Sequence, residues 1–193
     1  MGGCRSTDCH RIAKSIWQWC EANMVYLFAT YIPTGDNTVA DKASRLDVDK
    51  SDFGLHDQFF ESIVSEFGQP QIDLFATEIT TKCEKFISWY PCPGAFSIDA
   101  FTVKWNDYFY AFPPFILITR VLRKILNEKA TGIVVVPKWN TQPWYPIFMS
   151  LTVSSIITLG PSSNMLYYPY YDRHKTEFPK DLVLMSAILS GKC

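Results

Sequence analysis

A chain of 193 residues has the length of one ordinary domain, or of one domain joined to a piece of another. An apolar share of 48% against 19% charged residues excludes a disordered tail, and a net charge of -1 excludes a strongly basic glove for nucleic acid. The longest apolar run is far shorter than a membrane span, and no apolar leader with a cleavage site opens the chain, so the expectation is an intracellular protein without a membrane partner.

The first expected element is a helix capped by Ser6 or Thr7, with Ile12, Ile16, Trp19 and Cys20 on one face and Asn23 at its stop. A strand follows over Met24–Ile32, where Val25, Leu27, Ala29 and Tyr31 alternate with Tyr26, Phe28 and Thr30. Pro33, Thr34 and Gly35 end it, and Asp36 or Asn37 caps a short helix running to about Arg45. A single strand between two helices has no pairing partner of its own, so residues 1–46 read as the last part of a larger domain.

Residues 47–70 read as a linker, rich in Asp47, Asp49, Lys50 and Asp52, followed by an amphipathic helix carrying Phe59, Ile63 and Phe67 and closed by Gly68 and Pro70. From residue 71 to 193 the pattern alternates strand and helix in the α/β manner. Expected strands are Ile72–Ala76, Phe86–Trp89, Tyr108–Phe112, Ile133–Pro137 and Ser155–Leu159. Expected helices are Ile98–Trp105, Phe115–Asn127 and Pro143–Val153. The β-branched run Ile133-Val134-Val135-Val136 belongs inside a covered parallel sheet.

Three strand ends carry chemistry. Asp73 opens Asp73-Leu74-Phe75-Ala76-Thr77, Phe112-Pro113-Pro114-Phe115 ends the third strand, and Pro137-Lys138-Trp139 ends the fourth. Open α/β sheets take ligands at that carboxyl edge, and one carboxylate beside a proline shelf and aromatic walls suits a flat heteroaromatic group. Alternatively, Asp73 caps a neighbouring turn and the prolines simply terminate strands. A zinc site from Cys4, Cys9 and His10 would need a second paired ligand cluster, and none follows. The six cysteines fit no disulfide scaffold. Lys42 and Arg45, or Arg120, Arg123, Lys124 and Lys129, place cations on helix faces, which solvation explains better than phosphate contact.

The order Asp73-Leu74-Phe75-Ala76, Asp99-Ala100-Phe101 with Trp105, Ala111-Phe112-Pro113-Pro114-Phe115, then Val134 to Trp139 with Trp144-Tyr145, resembles the Dam-type DNA adenine methyltransferases of phages and some retroelements. The resemblance implies a small Rossmann-like methyltransferase-type sheet with helices on both faces. It implies S-adenosylmethionine as cofactor, held near Asp73, Ala76 and Asp99, and a flipped adenine stacked on Phe115 and Trp139. Phe112, Pro113, Pro114 and Phe115 match the family's catalytic motif, except that Phe112 stands where that family has Asp or Asn. The turn after Asp73 has no glycine between Leu74 and Thr81.

Residues Tyr31-Ile32-Pro33-Thr34-Gly35-Asp36-Asn37-Thr38-Val39-Ala40-Asp41-Lys42-Ala43-Ser44-Arg45 are similar to the end of a retroelement ribonuclease H domain. There the residue matching Asp41 belongs to a carboxylate cluster holding two divalent metal ions for phosphodiester hydrolysis. A ribonuclease H ending followed by a Dam-like module resembles the order in DIRS-like retrotransposon polyproteins. The expected partners are then the parent element's DNA or RNA/DNA and the remainder of the polyprotein. The alternatives are a non-catalytic interaction module that kept the fold, and a ribonuclease H remnant inactive in this chain.

Overall fold

The β-branched run lies where its composition puts it, inside a mostly parallel sheet. The computed structural model describes residues 7–26, 53–169 and 181–192. The chain divides into two units between Asp47 and Val48. In the first unit, helix α1 spans Thr7–Ala22, and the Asn23 side-chain amide donates to the Trp19 carbonyl at 2.8 Å where the helix stops. Ile12, Ile16 and Trp19 remain exposed while Cys20 is buried. Of the strand expected over Met24–Ile32, Met24, Val25 and Tyr26 are described and are not strand: Met24 sits at φ 54° and the Val25 N–H returns to the Cys20 carbonyl. The rest of that strand, the helix to Arg45, Asp41, Cys4 and residues 47–52 of the linker lie outside the described residues.

The second unit is mixed α/β. Its strands are β1 (Gly54–Leu55), β2 (Ile72–Asp73), β3 (Lys85–Ser88), β4 (Ser97–Ile98), β5 (Phe109–Ala111), β6 (Thr131–Pro137), β7 (Ile157–Leu159), β8 (Leu166–Tyr167) and β9 (Leu184–Ser190). Its helices are α2 (Asp57–Phe67), α3 (Ile118–Glu128) and α4 (Tyr145–Leu151). Seven strands form one sheet in the order β4-β3-β2-β5-β6-β9-β7, while β1 and β8 pair separately. Every pair from β4 to β6 is parallel, and β9 runs antiparallel to both of its neighbours.

Strand alternation splits the core between the two faces of this sheet. Phe109, Ala111, Val134 and Val136 join Ile118, Val121, Leu122 and Ile125 of α3 and Phe148 and Leu151 of α4 on one face. Tyr110, Phe112, Ile133 and Val135 join Phe60 and Ile63 of α2 on the other. Of the expected apolar face of α2, Ile63 lies in the core with Phe59 and Phe67 half-buried against it, and burying a side chain such as Ile63 contributes about 2 kcal/mol. Gly68, at φ 83°, closes that helix with its N–H on the Val64 carbonyl.

Two expected helices are corrected. Between Ile98 and Trp105 there is no α-helix: β4 leads into a 3-10 turn at Ala100–Thr102. Asp99, at φ 55°, turns the chain away from helical geometry, and its carboxylate accepts the Phe101 N–H at 2.9 Å. The helix expected from Phe115 begins instead as a 3-10 turn, Phe115–Leu117, because Pro114 is held at ψ 135° and the first turn closes on its carbonyl. Strand β9 fell outside the expected elements.

A surface tie fixes α2 to the loop after β2. The Lys82 ammonium pairs with Asp57, and the Lys82 side chain is 6% exposed against 81% for Asp57. The hydrogen bond from Lys82 holds the Asp57 carboxyl below its ordinary 3.8; partial burial opposes this, and the charges of Lys82 and His56 assist it. A depressed folded-state value gives stability that is present above the unfolded value and lost as pH falls through the folded one. In acid titrations of urea-unfolding stability, the parent should therefore lose an increment below about pH 4 that Asp57→Asn does not show.

Candidate functional site

β3, β2, β5 and β6 run parallel, so their carboxyl ends share one edge of the sheet. The chain winds outward from β2 to β3 and β4 on one side and to β5 and β6 on the other. The switch in strand order therefore falls between β2 and β5, where such sheets open a crevice. Asp73 pairs in register with Tyr110, and the Leu74 N–H donates to the Tyr110 carbonyl at 3.0 Å, which brings the ends of β2 and β5 side by side.

The proline step makes a shelf of aromatic rings at this edge. Phe112 is 7% exposed and points into the core on the α2 face, so the residue before the prolines presents no polar group. Phe115 turns back over it, with ring centroids 6.4 Å apart. Trp139, just past the end of β6, meets Phe115 edge-on at 5.2 Å and an interplanar angle of 81°. Trp139 is 40% exposed and Ile116 is 89% exposed, so the outer part of the shelf faces solvent. The structure thus brings Phe112, Phe115 and Trp139 together.

It also adds two rings that sequence reasoning missed. Phe53 lies 5.1 Å from Phe112 and 5.5 Å from Phe115, and Tyr168 lies 6.5 Å from Phe53. Both residues come from the ends of the β1 and β8 ribbon, whose strands are too short to stand out by alternation.

Asp73 is buried at the end of β2. One of its carboxylate oxygens accepts the Phe75 N–H at 3.2 Å and the other accepts the Lys82 N–H at 3.1 Å. The carboxylate therefore clasps both ends of the turn between them. Within that turn the Thr77 N–H donates to the Thr80 hydroxyl at 2.9 Å, and the Thr80 and Thr81 N–H groups return to the Thr77 carbonyl. The Tyr167 hydroxyl donates to the Ile79 carbonyl from the β8 side. Hydroxyls and a carboxylate thus order a turn that has no glycine.

Ala76 is buried, and its N–H extends the pairing with β3 by donating to the Ile87 carbonyl at 3.1 Å. Asp99 stands at the end of β4, two strands away from β2, as the cap of the 3-10 turn. The residues expected around the cofactor are therefore split, with Asp73 and Ala76 at the switch point and Asp99 towards the sheet edge. Among the described residues, no group of three or more His, Cys, Asp or Glu is placed to hold a metal ion, and no helix is long and apolar enough to cross a membrane.

Tyr110 points to the α2 face beneath this edge. Burial, and then the nearby charge of Asp73, pushes its phenol well above 10, and its hydroxyl has no hydrogen-bond partner. Burial likewise pushes the neighbouring Cys83 thiol up to about 12, so that thiol is a packing group and not a nucleophile. A buried hydroxyl without a partner costs about 1–3 kcal/mol of desolvation. Tyr110→Phe keeps the ring that packs on Phe60 at 5.0 Å and removes that hydroxyl. Urea unfolding should show the variant unchanged or more stable by about 1 kcal/mol; a clear loss would mean that the hydroxyl supports the fold.

No protein-family model matches the chain, and no curated protein matches it either.

Proposed function

We propose that the chain is a piece of a DIRS-like retrotransposon polyprotein. On this reading its second unit is a methyltransferase-type domain that holds an unpaired nucleic-acid base on the aromatic shelf without transferring a methyl group. The observation that carries this reading is Phe112: it is buried among apolar residues, with Phe53 packed on it, at the position where an adenine amine would need a hydrogen-bond acceptor. Phe115 and the exposed Trp139 keep a stacking surface, and the exposed Lys138 beside Trp139 supplies a cation for a phosphate.

The turn after Asp73 fits S-adenosylmethionine poorly. Both Asp73 oxygens accept backbone N–H groups, and threonine hydroxyls fill the turn where a glycine would let a ligand approach the backbone. The sheet order favours a second reading, an active SAM-dependent adenine methyltransferase. A mostly parallel sheet with a switch point between β2 and β5 and helices on both faces fits the Rossmann-like sheet that the resemblance implies. The ribonuclease H-like reading of residues 1–46, Asp41 included, rests on the sequence alone.

The test combines three measurements on the full chain. Single-stranded DNA should bind, and Trp139→Ala should weaken it by about 1–3 kcal/mol, the worth of one stacked base. Calorimetry with S-adenosylmethionine should show no heat, and no methyl group should reach adenine in single or double strands. Undiminished binding by Trp139→Ala removes the stacking role, whereas cofactor heat followed by transfer establishes the enzyme. For the genealogy, the expected genomic observation is a reading frame that continues upstream of the Met1 codon through further acidic ribonuclease H motifs.

A further inference from the structure

A cavity of about 170 Å³ opens over the starts of β2, β3 and β5, on the α3 and α4 face of the sheet and away from the carboxyl-edge shelf. Its deep part consists of Ile72, Leu74, Ile87 and Phe109, all buried, with Trp105 beside them. Phe96, 61% exposed, stands at the mouth with Lys85, Lys104, Asn106 and Asp107.

The opening follows from the connection between β4 and β5. A helix there would have covered this face, but a 3-10 turn and a loop cover it thinly. That loop is nevertheless held in place. The Trp105 indole N–H donates to the Ala100 carbonyl at 2.8 Å, and its backbone N–H donates to Glu128 at 3.0 Å. The Lys85 ammonium lies 4.0 Å from the centre of the Phe96 ring and pairs with Asp107 at 2.7 Å. The walls are therefore built from side chains that already have their own partners, which favours a site formed before its ligand arrives.

Size and charge together define the occupant. An enclosed apolar cavity of about 150 Å³ accepts benzene; this one is open and has Lys85, Lys104, Asn106 and Asp107 at its mouth, so its volume leaves room for about one six-membered ring with a polar substituent. Lys85 and Asp107 cancel at the mouth. Lys104 has no ion pair among the described residues, although its charge reaches Glu128, and it leaves the rim with one excess positive charge. We propose that this cavity is a binding site for a single aromatic ring bearing one negative charge, with the ring against Phe96 and Trp105 and the anionic group at Lys104. The site is independent of the shelf and of the function proposed there.

Benzoate is the probe, with benzamide as its neutral match and benzamidine as the cation, each titrated into the full chain and followed by amide chemical shifts. Benzoate should give saturable shifts at Ile87 and Val103–Asp107, and bind more tightly than benzamide, which in turn exceeds benzamidine. Lys104→Gln should weaken benzoate about three- to fivefold, the scale of an exposed ion pair, and leave benzamide unchanged. Val103→Trp, which fills the cavity, should abolish binding of all three. Lys104 is exposed, so its variant remains informative if Val103→Trp does not fold. The proposal is overturned if benzoate gives no saturable shift at millimolar concentration, if the shifts fall elsewhere, or if benzamidine binds as tightly as benzoate.

Discussion

Phe112→Asp is expected to cost about 4 kcal/mol or more of folding stability at neutral pH and to confer no methyl transfer. Phe112 is 7% exposed, packed with Phe53 and Phe115 above the α2 face of the sheet. An aspartate there loses the ring contacts and places a carboxylate among the apolar side chains of Phe53 and Phe115. Burial raises its folded-state value above the ordinary value near 3.9, so the sign is opposite to that at Asp57. The part of the penalty due to charge is absent where the carboxyl is protonated in both states, which leaves the lost ring contacts. That part grows as pH rises through the unfolded value, and levels off above the folded one. Urea unfolding at pH 4 and pH 7 should therefore show the larger deficit at pH 7, while Phe112→Leu, which keeps the site apolar, loses only about 1.5 kcal/mol at either pH. A Phe112→Asp protein as stable as the parent that also methylates adenine would show that the shelf retains a latent catalytic geometry.

Much of the second unit was legible because its strands and helices carry strong local patterns. The run Ile133–Val136 announced an interior strand, and Ile63 announced the buried face of α2, which Phe60 completes while Phe59 and Phe67 lie half-buried. Where the structure departed, a single residue overruled the pattern. Asp99, at positive φ, replaced an expected helix with a 3-10 turn, and Pro114 delayed α3 by one turn. The strand β9 was hidden because Leu184 to Leu189 is a short apolar run buried on both faces, with little alternation to separate it from buried helix. At the candidate site, the shelf could be read from Phe112 to Phe115 and Trp139. Phe53 and Tyr168 could not, because their place depends on pairing between β1 and β8, which are 111 residues or more apart in sequence and only two residues long. The role of Asp73 depended likewise on a long-range partner, since its clasp closes only when the Lys82 N–H returns to it.

Gly132→Ala is expected to be the most damaging single-methyl change in the sheet, with a loss of about 3 kcal/mol or more. Gly132 lies on β6 opposite Phe109 of β5 and Leu189 of β9, so strands flank it on both sides. A Cβ there would lie 2.5 Å from the Phe109 ring and also 2.5 Å from the Phe109 carbonyl oxygen. The ring is hemmed in by Trp105 at 5.2 Å, and it can yield only by shifting into the cavity that it lines. The carbonyl belongs to the β5 backbone, and moving it disturbs the parallel pairing that carries the shelf. These two contacts separate in a double-mutant cycle with Phe109→Leu, which frees space at the ring but leaves the carbonyl in place. If the ring dominates, the double variant should recover most of the loss caused by Gly132→Ala relative to Phe109→Leu alone. If the backbone dominates, the two losses should add. The carbonyl cannot be relieved by a rotamer change, so near-additivity is expected, and full rescue by Phe109→Leu would show that β5 tolerates displacement at this point.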